Sequence, residues 1–154
     1  MTDVVTKAMR SRMMSGIRSK NTKPELMIRH GLHSRGLRYR LHSKRIPGKP
    51  DLVFPKYRAV IMIHGCFWHG HDCQLFRYPS SRADFWYKKI ERNRERDREI
   101  LTLLTSSNWR ILTIWECSLK GTAKLPIDII IDDTINWLKS SDCGMDIRGK
   151  GKDG

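Results

Sequence analysis

Apolar and polar residues follow two different periods along this chain, one typical of helices and one typical of strands. Helical spacing and helix-start signals predict three helices, over about Lys23–Ser34, Asp84–Ser106 and Ile127–Lys139. Short apolar or alternating runs predict four extended segments, over Leu37–Leu41, Asp51–Phe54, Ala59–Ile63 and Arg110–Glu116. A Pro-Lys-Tyr-Arg turn joins the second and third runs into a predicted hairpin. This mixture of helices and strands indicates an α/β domain.

Turn and capping residues divide the chain into three parts. Residues 22–25 (TKPE) have the Ser/Thr-x-x-Glu pattern of a helix start, with proline in the first turn. Residues 1–20 precede this start and form a basic arm. Residues 21–140 carry all the predicted elements and form one domain. Residues 141–154 are rich in Gly, Lys and Asp, which predicts a loose, flexible tail.

The composition fits one self-sufficient domain without a membrane segment. The chain has 154 residues, of which 39% are apolar, enough for one core without disulfides. Its longest apolar run, Ala59–Ile63, is far shorter than the ~20 residues of a membrane-spanning helix. The sequence has no recognisable export signal. We therefore expect a cytoplasmic protein whose four cysteines are unpaired, with Cys143 standing alone in the tail.

Positive charge is concentrated at the amino-terminal end. Residues 1–49 contain 13 Lys or Arg but only two acids, which accounts for +11 of the net charge of +14. A solvated face normally mixes both signs, whereas phosphate groups attract Lys and Arg regardless of sequence. Nucleic acid is therefore the expected partner. An anionic membrane is less well supported, because Ser and Gly interrupt the basic stretch from Lys7 to Lys20.

A carboxylate lies within the apolar stripe of the longest predicted helix. At 100° per residue, Asp97 falls within about 60° of four large apolar side chains, those of Trp86, Ile90, Leu101 and Leu104. Asn93 lies on the same face, one turn before Asp97. A carboxylate directed inward needs a partner, because burial without one costs several kcal/mol. The sequence leaves two alternatives for the partner of Asp97: one of the neighbouring arginines, in an internal ion pair, or a histidine, through a hydrogen bond.

Three histidines and two cysteines occur within the ten residues HGCFWHGHDC, from His64 to Cys73. Tetrahedral zinc takes four Cys or His ligands, several of them closely spaced. Cys66, Cys73, a nearby histidine and the distant Cys117 would complete such a set. The spacing leaves open which of the later two histidines is the ligand. The remaining imidazoles are available as a general base near neutral pH.

One residue before this segment and two within it each have two interpretations. Asp51 follows a Pro-Gly turn at the start of a strand and suits either Mg²⁺ binding or backbone capping. Phe67 and Trp68 lie among polar residues without a periodic pattern. They suit either core packing or stacking on nucleic-acid bases.

Four segments together resemble the very short patch repair endonuclease family, within the PD-(D/E)XK superfamily. They are PGKPD (47–51), HGCFWHGHDC (64–73), FWYKKIERNRERD (85–97) and WRILTIWEC (109–117). The resemblance covers roughly residues 7–140. It implies a restriction-endonuclease-like α/β fold with a central mixed sheet flanked by helices. It also implies nicking of DNA 5′ of the thymine in T:G mispairs that arise when 5-methylcytosine deaminates.

The resemblance implies roles for five residues in catalysis. Asp51 would bind catalytic Mg²⁺. His69 would activate water, and Asp97 would orient His69. His64 and Glu25 would form a second pair near the scissile phosphate.

The resemblance also implies three groups of binding residues. Structural Zn²⁺ would be held by Cys66, His71, Cys73 and Cys117. A wedge entering the major groove beside the mismatch would consist of Phe67, Trp68 and Trp86. Met14 of the basic arm would enter from the other side, and base edges would be read by Lys89 and Asn93.

Two features depart from what the resemblance implies. Many nucleases of this superfamily carry a Glu-x-Lys pair on the strand after the first acid, but that strand here is AVIMIH. Ile63 could therefore contact Mg²⁺ only through its backbone carbonyl. Glu25 also occupies the N3 position of the helix start, which gives it a competing structural role.

The expected partner is double-stranded DNA with a T:G mismatch, bound by a monomer in the bacterial cytoplasm, at the nucleoid. Repair accessory proteins are further possible partners. Two alternatives remain at this point: a zinc-stabilised DNA-binding module without catalysis, and a nicking nuclease that acts on DNA without a mismatch.

Overall fold

A mixed sheet of five strands lies between helices on its two faces. The computed structural model describes residues 22–150, and Met14 and the rest of the basic arm lie outside them. The helices are α1 (Lys23–Ser34), α2 (Ala83–Ser106) and α3 (Ile127–Leu138). The strands are β1 (Arg40–Leu41), β2 (Leu52–Phe54), β3 (Ala59–His64), β4 (Arg110–Trp115) and β5 (Gly144–Ile147). The predicted α/β class is confirmed.

The sheet has the order β1-β2-β3-β4-β5. The first three strands are antiparallel neighbours, and β3, β4 and β5 are parallel to one another. The β2–β3 hairpin is confirmed; its connection is a short 3₁₀ turn followed by Arg58 at a φ of 51°. Parallel strands need crossover connections, which α2 and α3 supply.

Each face of the sheet has its own apolar core. On one face, Ile28 of α1 and Ile131 of α3 pack with strand residues such as Ile61 and Ile114. Helices α1 and α3 approach closely at Gly31, where a Cβ would lie 2.6 Å from Ile131 Cδ1. On the other face, α2 packs on the sheet through residues that include Leu104. The central strands β3 and β4 are therefore covered by apolar side chains on both faces of the sheet.

The carboxyl-terminal segment differs from the prediction of a loose tail after residue 140. Gly144–Ile147 forms β5 and pairs with β4 along four residues. Ile147 is buried in the first core, and Met145 packs against that core. Two apolar residues in a Gly-rich stretch are too few to predict a strand from periodicity. The segment becomes a strand through its pairing with β4.

Two smaller expectations are also corrected. Only Arg40–Leu41 of the predicted Leu37–Leu41 strand is paired. Leu101 is 43% exposed, although the stripe on α2 places it among buried positions. Within residues 22–150, no helix is long and apolar enough to cross a bilayer.

Candidate active site and the adjoining cysteine-histidine cluster

The HGCFWHGHDC segment leaves the end of β3 and folds into a series of tight turns. The amide of His71 donates to the carbonyl of Cys66 at 2.9 Å, and the amide of Cys73 donates to the carbonyl of His71 at 2.9 Å. Gly70 has a φ of +58°, and a Cβ there would lie 2.5 Å from Arg94 Nε. The guanidinium of Arg94 donates to the Gly70 carbonyl. Glycine therefore lets the loop lie directly against α2.

The loop and the end of β4 together form a cysteine-histidine cluster. Its ligand atoms all lie within 4.8 Å of one another and belong to Cys66, His71, Cys73 and Cys117. His71 Nδ1 lies 3.5 Å from Cys66 Sγ and 3.6 Å from Cys117 Sγ. Zinc bonds of about 2.3 Å to sulfur and 2.1 Å to nitrogen give a tetrahedral S···N edge of about 3.6 Å. The donors therefore fit a tetrahedral zinc ion.

Backbone groups surround the sulfur atoms of this cluster. The amide of Cys117 donates to Cys66 Sγ and the amide of Gly149 donates to Cys117 Sγ, both at 3.3 Å. Burial raises the pKa of the Cys66 and Cys117 thiols. Because the thiolate is the form that binds metal, these thiols need a bound cation to stay deprotonated at neutral pH. Gly149 brings the segment after β5 against the cluster.

The imidazole of His71 is held flat against Trp115. The two rings are 3.9 Å apart and nearly parallel, with an interplanar angle of 9°. Burial, with a smaller contribution from the Arg148 charge, lowers the pKa of His71 to about 4. A neutral imidazole is the form that coordinates metal. Of the two histidines that spacing left open, His71 is the one that lies in the cluster.

His69 points away from the cluster, toward α2. Its Nδ1 atom lies 2.6 Å from Oδ2 of Asp97, and both side chains are partly exposed. The partner of Asp97 in this contact is thus a histidine, and among residues 22–150 no arginine forms an ion pair with it. The contact fixes the ring and leaves Nε2 available to a water molecule.

A second imidazole lies directly on the ring of His69. The rings of His64 and His69 are 3.7 Å apart and 4° from parallel. Burial, followed by the charges of His69 and His71, lowers the pKa of His64 well below its usual value. Within residues 22–150, the buried Nδ1 of His64 has no hydrogen-bond partner. His64 is therefore a neutral ring that supports His69 from behind.

Asp51 lies just before β2, opposite the end of β3. Its Oδ2 accepts a hydrogen bond of 2.7 Å from the amide of Ile63. The amide and carbonyl of a strand residue point toward the same neighbour, which directs the Ile63 carbonyl to the side of Asp51 as well. Burial, partly offset by the Ile63 amide and reinforced by Glu25, raises the pKa of Asp51 to about 7. A cation bound there would favour the charged carboxylate.

Glu25, in the first turn of α1, lies beside the Asp51 carboxyl group. It is 2% exposed, and its Oε2 accepts hydrogen bonds from Arg29 Nη1 at 3.1 Å and from His42 Nε2 at 2.7 Å. Its amide donates to Thr22 Oγ1 at 3.4 Å, as the capping pattern predicts. His42 was not among the predicted site residues because it belongs to no motif. Its position after an edge strand is the one feature that marks it.

One open cleft of about 760 Å³ collects these side chains. Its lining includes every residue predicted to act in catalysis, namely Glu25, Asp51, His64, His69 and Asp97. Ile63, Phe67, Trp68 and Asn93 also line it. Glu116, which was not among the predicted site residues, also lines the cleft, and its Oε1 accepts a hydrogen bond from the Cys66 amide at 3.1 Å. Glu116 therefore joins the cleft to the cysteine-histidine cluster.

The three rings predicted to form a wedge do come together. Phe67 lies 5.1 Å from Trp68 and 5.4 Å from Trp86, and the two tryptophans are 5.9 Å apart. All three are partly exposed rather than buried in either core. Asn93 Nδ2 donates to the carbonyl of Trp68 at 2.8 Å, so Asn93 holds the loop that carries the rings. Lys89 and Asn93 also line a smaller adjoining hollow of about 370 Å³ on α2.

Known proteins similar to this chain are endonucleases. A family model described as DNA mismatch endonuclease Vsr matches residues 2–75. The DNA mismatch endonuclease Vsr of Escherichia coli K12 is 39% identical over 151 residues, which cover 98% of this chain and 97% of that protein. The type II nicking enzyme V.XorIIP of Xanthomonas oryzae is 47% identical over 125 residues, covering 81% and 92%. The type II nicking enzyme V.NmeAIP of Neisseria meningitidis is 47% identical over 123 residues, covering 80% and 88%.

Identity at this level over nearly the whole length shows common family membership. A DNA-binding module without catalysis, one of the alternatives considered above, is thereby set aside. The chain belongs to the Vsr family of DNA mismatch endonucleases and is a DNA-cleaving hydrolase.

Proposed function

We propose that this endonuclease uses Mg²⁺ to nick DNA on the 5′ side of the thymine in a T:G mispair. The observation that carries the proposal is the cleft shared by Asp51, the His69–Asp97 pair and the rings of Phe67 and Trp68, against which Trp86 packs. A metal-binding carboxylate, a positioned base and a group able to enter the base stack are the parts that such a reaction needs.

His69 is proposed as the general base. Hydrogen bonding of Nδ1 to Asp97 fixes the tautomer that leaves Nε2 free to accept a proton from water. The carboxylate also stabilises the imidazolium that forms when the proton arrives. His64, stacked behind His69, keeps the ring plane in place.

Asp51 and the carbonyl of Ile63 are proposed to hold Mg²⁺ beside the scissile phosphate. Oxygen ligands of this kind suit Mg²⁺, and the buried carboxylate of Asp51 has its charged form disfavoured until a cation is bound. When bound, Mg²⁺ would stabilise charge on the phosphate and leaving oxygens. The Ile63 amide orients Asp51 through a 2.7 Å hydrogen bond.

The cysteine-histidine cluster is proposed to hold structural Zn²⁺. Four protein donors leave no open position for substrate, which is typical of a structural rather than a catalytic site. Within the HGCFWHGHDC loop, His69 and the two rings lie between Cys66 and His71. A zinc ion at the cluster would therefore fix the catalytic base and the wedge together.

Selectivity for a mismatch is proposed to come from the wedge. Separating two stacked base pairs costs a few kcal/mol, and less where pairing is already imperfect. The wedge would therefore insert between base pairs most easily beside a T:G mispair. Its rings belong to Phe67, Trp68 and Trp86. Lys89 and Asn93 are proposed to contact base edges, and Met14 to act from the opposite groove.

The charge of the chain supports a DNA duplex as the substrate. Residues 1–49 carry +11 of the net +14, which matches a polyanion. We propose that a monomer binds the duplex in the bacterial cytoplasm, on the nucleoid, where repair accessory proteins would act with it.

A nicking assay on a panel of duplexes tests the proposal. The panel holds T:G, the other mismatches and a matched duplex, each in several sequence contexts with Mg²⁺ or EDTA. We expect Mg²⁺-dependent nicking 5′ of T in T:G. Asp51→Ala should abolish nicking and retain DNA binding; full activity in this variant would contradict the metal-binding role.

The names of two relatives favour a second candidate, nicking of DNA without a mismatch. Both the Xanthomonas and the Neisseria proteins are described as type II nicking enzymes. The matched duplex in the same panel separates the two functions. Equal nicking of matched and T:G duplexes would replace the mismatch proposal with this one.

A further inference from the structure

Another group of side chains that could hold a metal ion lies at the edge of the cleft. Glu25, His42 and Asp51 each offer one ligand atom, and these atoms lie within 4.8 Å of one another. Neither the family motifs nor the proposed Mg²⁺ site uses His42. The group combines two carboxylates and one imidazole on three separate elements of the fold.

The backbone holds His42 in this position. Strand β1 ends at Leu41, which pairs with Leu52, and the amide of His42 then donates to the Asp51 carbonyl at 3.2 Å. His42 has a φ of 45°, in the left-handed region that few residues other than glycine adopt. Such conformations persist only where surrounding contacts impose them, and they are frequent at functional sites. The turn directs the imidazole to the two carboxylates.

Two carboxylates bring negative charge to the group, and the Arg29 guanidinium, 3.1 Å from Glu25 Oε2, balances part of it. Glu25 is 2% exposed and His42 17% exposed, so these two side chains have little contact with water. His42 Nε2 lies 2.7 Å from Glu25 Oε2. This separation is a few tenths of an ångström shorter than the edge of about 3.0 Å in an octahedron with 2.1 Å bonds. A cation could therefore replace the hydrogen-bonded proton after a small outward movement of the imidazole.

We propose that His42 and Glu25 are additional ligands of the divalent cation held by Asp51, and that His42 makes this site favour Mn²⁺ over Mg²⁺ and Ca²⁺. The inference rests on the proposed metal role of Asp51. Imidazole is a better ligand for first-row transition metals than for Mg²⁺ or Ca²⁺, which prefer oxygen. An Asp51 site with oxygen ligands alone would have a weaker preference for Mn²⁺.

Mn²⁺ is a suitable probe because its electron spin reports a bound nitrogen directly. Zinc-loaded protein, without DNA, is titrated with Mn²⁺, and pulsed electron paramagnetic resonance measures the ¹⁴N coupling. We expect imidazole coupling in the wild type. His42→Gln should remove it and weaken Mn²⁺ binding by about tenfold or more, with little change for Ca²⁺. His30→Gln, on an exposed position of α1, is the matched control and should behave like the wild type.

Each outcome supports or overturns the proposal. An uncoupled Mn²⁺ signal in the wild type overturns it without any variant, since His42 would then be only the ion-pair partner of Glu25. Coupling that persists in His42→Gln also overturns it, because another histidine would be the ligand. If His42→Gln does not fold, His42→Asn takes its place in the same comparison.

The parallel nicking assay keeps the two proposals distinguishable. Coupling to His42 without T:G nicking supports the metal site and contradicts the proposed substrate. T:G nicking in Mg²⁺ without coupling supports the substrate and contradicts the role of His42.

Discussion

Nδ1 of His69 lies 2.6 Å from Oδ2 of Asp97, across the gap between the loop after β3 and the middle of α2. The two residues are 28 positions apart, and neither is fully buried. The loop is pinned to α2 at two neighbouring points, where Asn93 and Arg94 donate to its backbone carbonyls. The pair is thus held by the packing of the whole loop and not by one hydrogen bond.

Asp97→Asn should slow nicking by about 10²- to 10⁴-fold, the range that a general base contributes. The amide keeps the shape of the side chain but cannot stabilise an imidazolium on His69. Single-turnover nicking of a T:G duplex measures the effect, and fluorescence anisotropy shows whether DNA affinity is retained. Glu95→Gln, an exposed position on the same helix, is the control. A nicking rate within twofold of the wild type would exclude the pair from catalysis.

Asp51→Asn should make the protein more stable at pH 8 and change its pH dependence. The folded protein holds the Asp51 proton up to a pKa of about 7, whereas an ordinary aspartate releases it near 3.8. The folded state therefore binds more protons between these pH values, and wild-type stability falls as the pH rises through them. The variant lacks this loss, which is on the order of 4 kcal/mol.

Urea unfolding between pH 4 and pH 8, without added Mg²⁺, measures this difference. Wild type and Asp51→Asn should have similar free energies of unfolding at pH 4 and diverge toward pH 7. Only the difference between the two proteins is used, since acid weakens metal binding at the cysteine-histidine cluster in both. Parallel pH profiles would show that the Asp51 carboxyl is not perturbed.

Cys73→Ala should lose bound zinc and stability together. Metal binding and folding are coupled at such sites, so removing one of four ligands should lower the free energy of unfolding by several kcal/mol. Zinc content by mass spectrometry and thermal unfolding measure the two effects. Cys143→Ala is the matched control because Cys143 is exposed and lies outside the cluster. One tightly bound zinc per chain in Cys73→Ala would show that the ligand set is incorrect.

Phe67→Ala should reduce the preference for T:G over matched duplex by about tenfold, since one stacked ring contributes roughly 1–3 kcal/mol. Phe67 contacts both Trp68 and Trp86, so its loss opens the centre of the wedge. 2-Aminopurine placed beside the mismatch reports unstacking by its fluorescence. Tyr87→Ala removes a 57% exposed ring from α2, next to Trp86 in the chain, and should leave the preference unchanged. An unaltered preference in Phe67→Ala would show that selectivity arises elsewhere.

Local signals along the chain were sufficient to predict most of the helices and strands. The start of α1 at Lys23 follows from the capping pattern, and the structure reproduces both ends of this helix. The β2–β3 hairpin and the crossover helix α2 follow from turn residues and from a long helical period. These features are determined by neighbours within a few residues, which a sequence displays directly.

Contacts between distant segments decided the rest. β5 exists because β4 has an open edge, and His71 rather than His69 joins the cysteines because its ring stacks on Trp115. The meeting of His42, Glu25 and Asp51 depends on how α1 packs beside β1 and β2. Which strands pair and which polar side chains meet depends on three-dimensional packing and on the burial of polar groups together. No local sequence pattern encodes these contacts.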